Sequence, residues 1–278
     1  MTPAPVVERP AGPRRALSDL AAAVSAEWVR LRSVRTTWWG AAAALALMCA
    51  VAPSVAVSTV SNAQNGTVPV AQVPAAEMAV YATLWVVQFV VIGLVLPVVT
   101  TEYSSGAVRA SLQAVPVRWR LLAAKAVVTA GFAFVLGAVA ASAGTVLAFA
   151  VMSHPYLAGY GTLEAGAAVV SVLRQGAYLA LVAVTALGAG AALRSVAGAL
   201  TALFLLVVGL PVMLLMMGGD TSVFWSERTL FVAGAAFMDT DLALGPVGIG
   251  PFSAGVVILC WSAAASAVGA LVLARRDA

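Results

Sequence analysis

The sequence predicts an all-α polytopic membrane protein, with six transmembrane helices and an N-terminal amphipathic helix lying at the interface. Three observations predict it. The chain is 62% hydrophobic and 9% charged over 278 residues, with a mean hydropathy of +1.01, whereas a soluble domain carries about 25% charged residues. Several apolar runs reach the ~20 residues needed to cross ~30 Å of hydrocarbon. The basic residues gather in the segments between those runs, as membrane topology requires, and not on one nucleic-acid-binding face.

Residues 1–15 are rich in Pro and Arg and lack apolar periodicity, which predicts a disordered tail. Over 16–36, Leu17, Leu20, Val24, Trp28 and Leu31 recur at three- and four-residue steps, with Arg30, Arg32 and Arg35 at the far end. This pattern predicts an amphipathic helix at headgroup depth; the plainer alternative is an extension of the first span. The run that follows is too long for a secretory signal and lacks a small-residue cleavage site, so it reads as a retained span.

Residues 37–278 hold the six spans. The first covers about 38–60, opened by Trp38 and Trp39, whose indoles favour the interface, and carrying Pro53 as a candidate kink. A polar, turn-rich segment without basic residues leads to the second span, about 78–101. The third covers about 126–152. Residues 153–166, with His154, Tyr156, Tyr160 and Glu164, form a short loop. The fourth span is about 168–193. Gln175–Leu193 alone suffices to cross, and 165–173 either extends it or lies at the interface. The fifth is about 196–217, with Pro211 in it. Within the long segment 218–248, Leu230–Met238 is apolar but too short to cross, so a re-entrant or interfacial helix is expected there. The sixth covers about 249–274, closed by Arg275 and Arg276.

Six spans put both ends on one side. If that side is the cytoplasm, thirteen of the fifteen basic residues lie inside: six before the first span, four in 102–125, Arg194 and the closing pair. Only Arg174 and Arg228 lie outside. The positive-inside rule therefore predicts a multi-pass protein of the cell membrane with both termini cytoplasmic.

Several chemistries lack their residues. There is no G-x-x-x-x-G-K-[ST], and the single lysine, Lys125, follows an alanine, so the chain has no phosphate-cradling loop of that kind. His154 is the only histidine, no nucleophile–base pair stands out, and an enzyme is not expected. Cys49 and Cys260 both fall in apolar runs and read as small hydrophobes, so no metal site is expected. The spans carry almost no ionisable groups, and their polar residues are mostly Gln88 and scattered Ser and Thr, which argues against an ion-driven carrier. Energy for any work would come from a partner.

The remaining feature is 102–125, the longest polar stretch between spans after the N-terminal region. Glu102, Gly106 and Arg109 stand at i, i+4 and i+7 and share a helical face. Gly106 leaves room for a close backbone, and Pro116 ends the helix before Arg118-Trp119-Arg120. Spacing alone leaves open a charged loop that merely obeys the positive-inside rule.

The string Glu102-Tyr103-Ser104-Ser105-Gly106-Ala107-Val108-Arg109, followed by Val115-Pro116-Val117-Arg118 and Ala124-Lys125, resembles the E-Y-x-x-G-T-x-R…P-x-R…K segment of type-2 ABC exporter permeases. Ala26-Glu27-Trp28-Val29-Arg30-Leu31-Arg32 is similar to the opening of actinobacterial members, and Leu273–Asp277 to their tail. Ala107 departs from the common threonine. The resemblance spans about 25–278. It implies a permease that pairs with a second copy or a paralogue in the lipid bilayer and docks an ABC ATP-binding subunit. ATP and Mg would be bound by that partner, with no cofactor in this chain. Glu102, Tyr103, Gly106, Arg109, Pro116 and Arg118 would couple to the ATPase, and Glu27, Trp28, Arg30 and Arg32 would lie on a connecting helix. A non-transporting membrane anchor or assembly factor, and an ion-coupled carrier, remain open as other readings.

Overall fold

A computed structural model describes residues 13–65, 73–104, 118–154, 160–240 and 247–276. The expected tail through residue 12 and most of the 102–117 segment lie outside them. Among the described residues, six helices are long and apolar enough to cross a membrane. The protein is all-α, and among the described residues the sheet is one two-residue parallel pair, Val73–Pro74 with Gly161–Thr162.

Helix α1 (Pro13–Ser33) begins on a proline, whose missing N–H costs nothing in a first turn. The chain breaks at Val34, in extended conformation, and α2 (Arg35–Gln64) forms the first span. The Trp38 indole donates to the Arg32 carbonyl at 3.0 Å and pins this elbow. The second span consists of α3 (Ala75–Ala82), a π-helical turn at Thr83–Val87, and α4 (Gln88–Ser104). The third is α5 (Arg118–Met152), and the fourth is α6 (Ala165–Leu193), one continuous helix that takes in the 165–173 stretch. A left-handed Arg194 and the Ser195 cap, accepting from the Gly198 N–H, turn the chain into α7 (Val196–Phe204). A second π-helical turn, Leu205–Gly209, and α8 (Leu210–Met217) complete the fifth span. Short helices α9 (Asp220–Ser226) and α10 (Leu230–Phe237) precede α11 (Pro251–Arg276), the sixth.

Hydrophobicity drives little association between helices in lipid, so packing rests on small residues and polar contacts. The first span shows this: Ala44, Met48, Ala52, Ala56 and Val60 recur every fourth residue and are buried. They face α5, where a Cβ on Gly144 would sit 2.7 Å from the Met48 sulfur. Helix α6 is the hub, packing most extensively on α5 and α11 and also on α4. In its most apolar window 61% of residues are buried, against 17% in the fifth span, which places α6 at the centre and the fifth span at the rim.

Helix α10 is a buried insertion. Leu230 through Ala236 are all buried. Phe231 meets Trp85 edge-to-face at 5.0 Å, and a Cβ on Gly234 would lie 2.8 Å from Cζ of Tyr178. This short helix packs mainly on α11 and touches the second and fourth spans, and it does not lie on the surface. Pro53 and Pro97 sit within helices that run on through them.

Candidate functional site

The segment singled out in the sequence is only partly described. Glu102 and Tyr103 sit in the final turn of α4, and Arg118 opens α5. Gly106, Arg109 and Pro116 lie outside the described residues, as do the side-chain surroundings of Glu102, Tyr103 and Arg118.

At the described end of this segment Lys125 is 2% exposed, and its ammonium donates to both carboxylate oxygens of Glu27 at 2.8 Å. The two residues are far apart in sequence. Glu27 comes from α1 and Lys125 from the first turns of α5, so the pair clamps the interfacial helix onto the base of the third span. A buried charge is tolerated only when paired. The buried face of α1 consists of Ala23, Glu27 and Leu31, with Leu20 and Val24 half-buried. Trp28, placed on that face by the sequence pattern, is 42% exposed, and Arg30 and Arg32 are exposed too. Beside the pair lies an open-sided cavity of about 180 Å³, walled by α1, the start of α2, the end of α4 and the start of α5.

A second polar cluster lies deep in the bundle. Thr83, Gln88, Gln175 and Tyr178 are completely buried. The Thr83 hydroxyl donates to Gln175 Oε1 at 2.8 Å, and Gln175 Nε2 donates to the Ser171 hydroxyl at 3.2 Å. The Tyr178 hydroxyl donates to Gln88 Oε1 at 2.7 Å, and Gln88 Nε2 donates to the Leu84 carbonyl. The π turn explains the last bond. The Gln88 N–H reaches back to Thr83, five residues away, so the Leu84 carbonyl loses its usual i+4 donor. The Gln88 side chain takes that donor's place. The sequence reading noted Gln88 alone. Thr83 and Gln88 stand five apart, about 140° around a regular helix, and only the wider π turn lets both face α6. Gln175 and Tyr178 at i, i+3 on α6 were the available signal.

The opposite end of the bundle gathers acidic groups. Arg174 pairs with Asp239 at 3.1 Å, and both border a cavity of about 570 Å³ that Glu77 and Glu164 also line. Asp239 has φ +60, a left-handed turn that short polar side chains tolerate. The Arg228 guanidinium lies 3.4 Å over the centroid of the Phe224 ring, and the Trp261 indole donates to the Arg228 carbonyl at 3.0 Å. Among the described residues no group of three or more His, Cys, Asp or Glu side chains is placed to hold a metal.

No family model matches the chain, and no curated protein is significantly similar to it.

Proposed function

We propose that this chain is the membrane-spanning permease subunit of a type-2 ABC exporter, in the cell membrane with both ends in the cytoplasm. The observation that carries the reading is the buried Glu27–Lys125 pair. It joins the interfacial helix to the third span at the end of the segment whose motifs carry the resemblance. A push on 102–125 would then move α1 and α5 as one body instead of being lost in a flexible loop. From α5 the motion passes to α6, its main packing partner, and through the Gln175–Thr83 and Tyr178–Gln88 bonds to the second span. Six apolar helices supply the walls of a pathway, completed by a second copy or a paralogue. The partner ATP-binding subunit holds ATP and Mg and performs the hydrolysis, and this chain performs none.

The test is reconstitution with the ATP-binding partner. Glu102→Ala and Arg109→Ala are each expected to lower stimulated ATP hydrolysis and co-purification of the partner. Unchanged values for both remove the coupling role. Transport that survives without ATP and collapses with an ion gradient would replace the permease by a carrier. Partner binding with neither transport nor stimulation would leave an anchor.

A further inference from the structure

The two π turns are held in different ways. In the fifth span Pro211 offers no N–H for a regular turn, so covalent structure keeps the helix wide there. The turn at Thr83–Val87 contains no proline, and side chains hold it. The Gln88 amide serves the Leu84 carbonyl, and the Thr83 hydroxyl donates to Gln175 on α6. Bonds made by side chains can be exchanged. When the Gln88 N–H moves from the Thr83 carbonyl to that of Leu84, four residues back, the turn becomes a regular α turn. With α4 fixed, α3 then screws by one residue, about 100° of rotation and 1.5 Å of advance. Each residue ahead of the turn yields its place to the next one.

This exchange reshapes a cavity. Ala76, Glu77 and Val80 of α3 wall the space of about 570 Å³, with Ala167 and Ser171 of α6 among the residues that also line it. After the screw their places belong to Glu77, Met78 and Tyr81. A tyrosine in the place of a valine fills space, so the open cavity belongs to the π register. Glu77 stays on the wall in both registers, and the move buries no charge. Thr83 yields to Leu84, which has no side-chain donor, so the bond to Gln175 exists only in the π register. Four of the eight residues of α3 are alanine, which limits the bulk that must pass α2 and α5 as it turns.

We propose that the second span is a two-register helix. Closing the π turn at Thr83–Val87 screws α3 by one residue and narrows the cavity that α3 and α6 line, and the Thr83–Gln175 bond latches the open register. The switch needs only the second and fourth spans and is independent of the permease reading, so either can fail alone.

The probe is a water-soluble methanethiosulfonate applied to the full-length chain in nanodiscs, in a Cys49→Ala, Cys260→Ala background. Met78 is 0% exposed and takes the place of Glu77 in the α register, so Met78→Cys reports the switch. Ala79 moves into the buried place of Met78, so Ala79→Cys stays covered in both registers and reports general loosening. Met78→Cys is expected to label slowly. Thr83→Val or Gln175→Leu should speed it by at least about fivefold, the loss of one net hydrogen bond, and leave Ala79→Cys unlabelled. Deleting Val86 puts Gln88 four residues after Thr83, so a regular bond reaches the same carbonyl with α3 in its present place. Labelling at position 78 should then fall to background even with Thr83→Val. Melting curves show which chains are folded, and either latch variant alone decides the test. Equal rates at position 78 in the parent and the folded latch variants overturn the switch. Equal acceleration at positions 78 and 79 is loosening and overturns it too, as does unchanged labelling after the deletion.

Discussion

Glu27 and Lys125 show what one ion pair costs and contributes in this setting. Both are removed from water, and each carries the charge that offsets the other's. Lys125→Met alone, or Glu27→Leu alone, is expected to destabilise the protein by about 3–5 kcal/mol, because an uncompensated charge stays buried. The double variant should recover most of that loss. Unfolding in mixed micelles, read as a double-mutant cycle, checks this; additive losses would mean that the two residues do not couple. The sequence flagged Glu27 as part of the interfacial helix and Lys125 as the end of the polar stretch. It offered no means of pairing them, since the contact joins distant residues and leaves no periodicity. The same limit explains Trp28. The apolar count along α1 put its indole inward, but the tertiary partner of that face is a lysine, so the carboxylate at the preceding position turns inward instead.

Among the elements, α6 carries the architecture, and glycine sets how closely its neighbours approach. A Cβ on Gly188 would fall 2.5 Å from the Ala265 carbonyl oxygen of α11, and one on Gly269 would fall 2.8 Å from the Gly188 carbonyl oxygen. Backbone cannot step aside as a side-chain tip can. Gly188→Ala should therefore cost about 1–3 kcal/mol through overpacking. Gly131→Ala, with no atom within 4 Å of the new methyl, should be neutral or stabilise the helix by up to about 1 kcal/mol. Thermal unfolding in one detergent compares the two; equal behaviour would remove the close crossing of α6 and α11. The π turn of the fifth span has a local cause that could be read from the sequence. Pro211 has no N–H for the Val207 carbonyl and its ring crowds that carbonyl, and the helix widens in the preceding turn, where the Leu210 N–H bonds to Leu205. The turn at Thr83–Val87 has no proline. Its stabilising bonds come from the Gln88 side chain and from α6, so local sequence gave no warning of it.

At the scale of the whole molecule the charge asymmetry makes a prediction about sidedness. With Cys49 and Cys260 replaced by alanine, Ser33→Cys and Ser153→Cys report opposite faces; both positions are exposed, one at each end of the bundle. On intact cells a membrane-impermeant maleimide should label the cysteine at 153 and not the one at 33. The reverse pattern would invert the orientation and with it the docking side of 102–125. The sequence by itself determined the class of the fold and the number of spans, because a bilayer demands runs of about 20 apolar residues, and such runs are one-dimensional. It also singled out Leu230–Met238 as too short to cross, which the structure resolves into the buried helix α10. Only the tertiary structure decided which spans are central, which residue of α1 turns inward and how Thr83, Gln88, Gln175 and Tyr178 close into one cluster. In a chain this apolar every face of every span is hydrophobic, so no periodicity says which face meets protein and which meets lipid. Small residues and paired polar groups settle that choice, and their effect exists only once the helices are side by side.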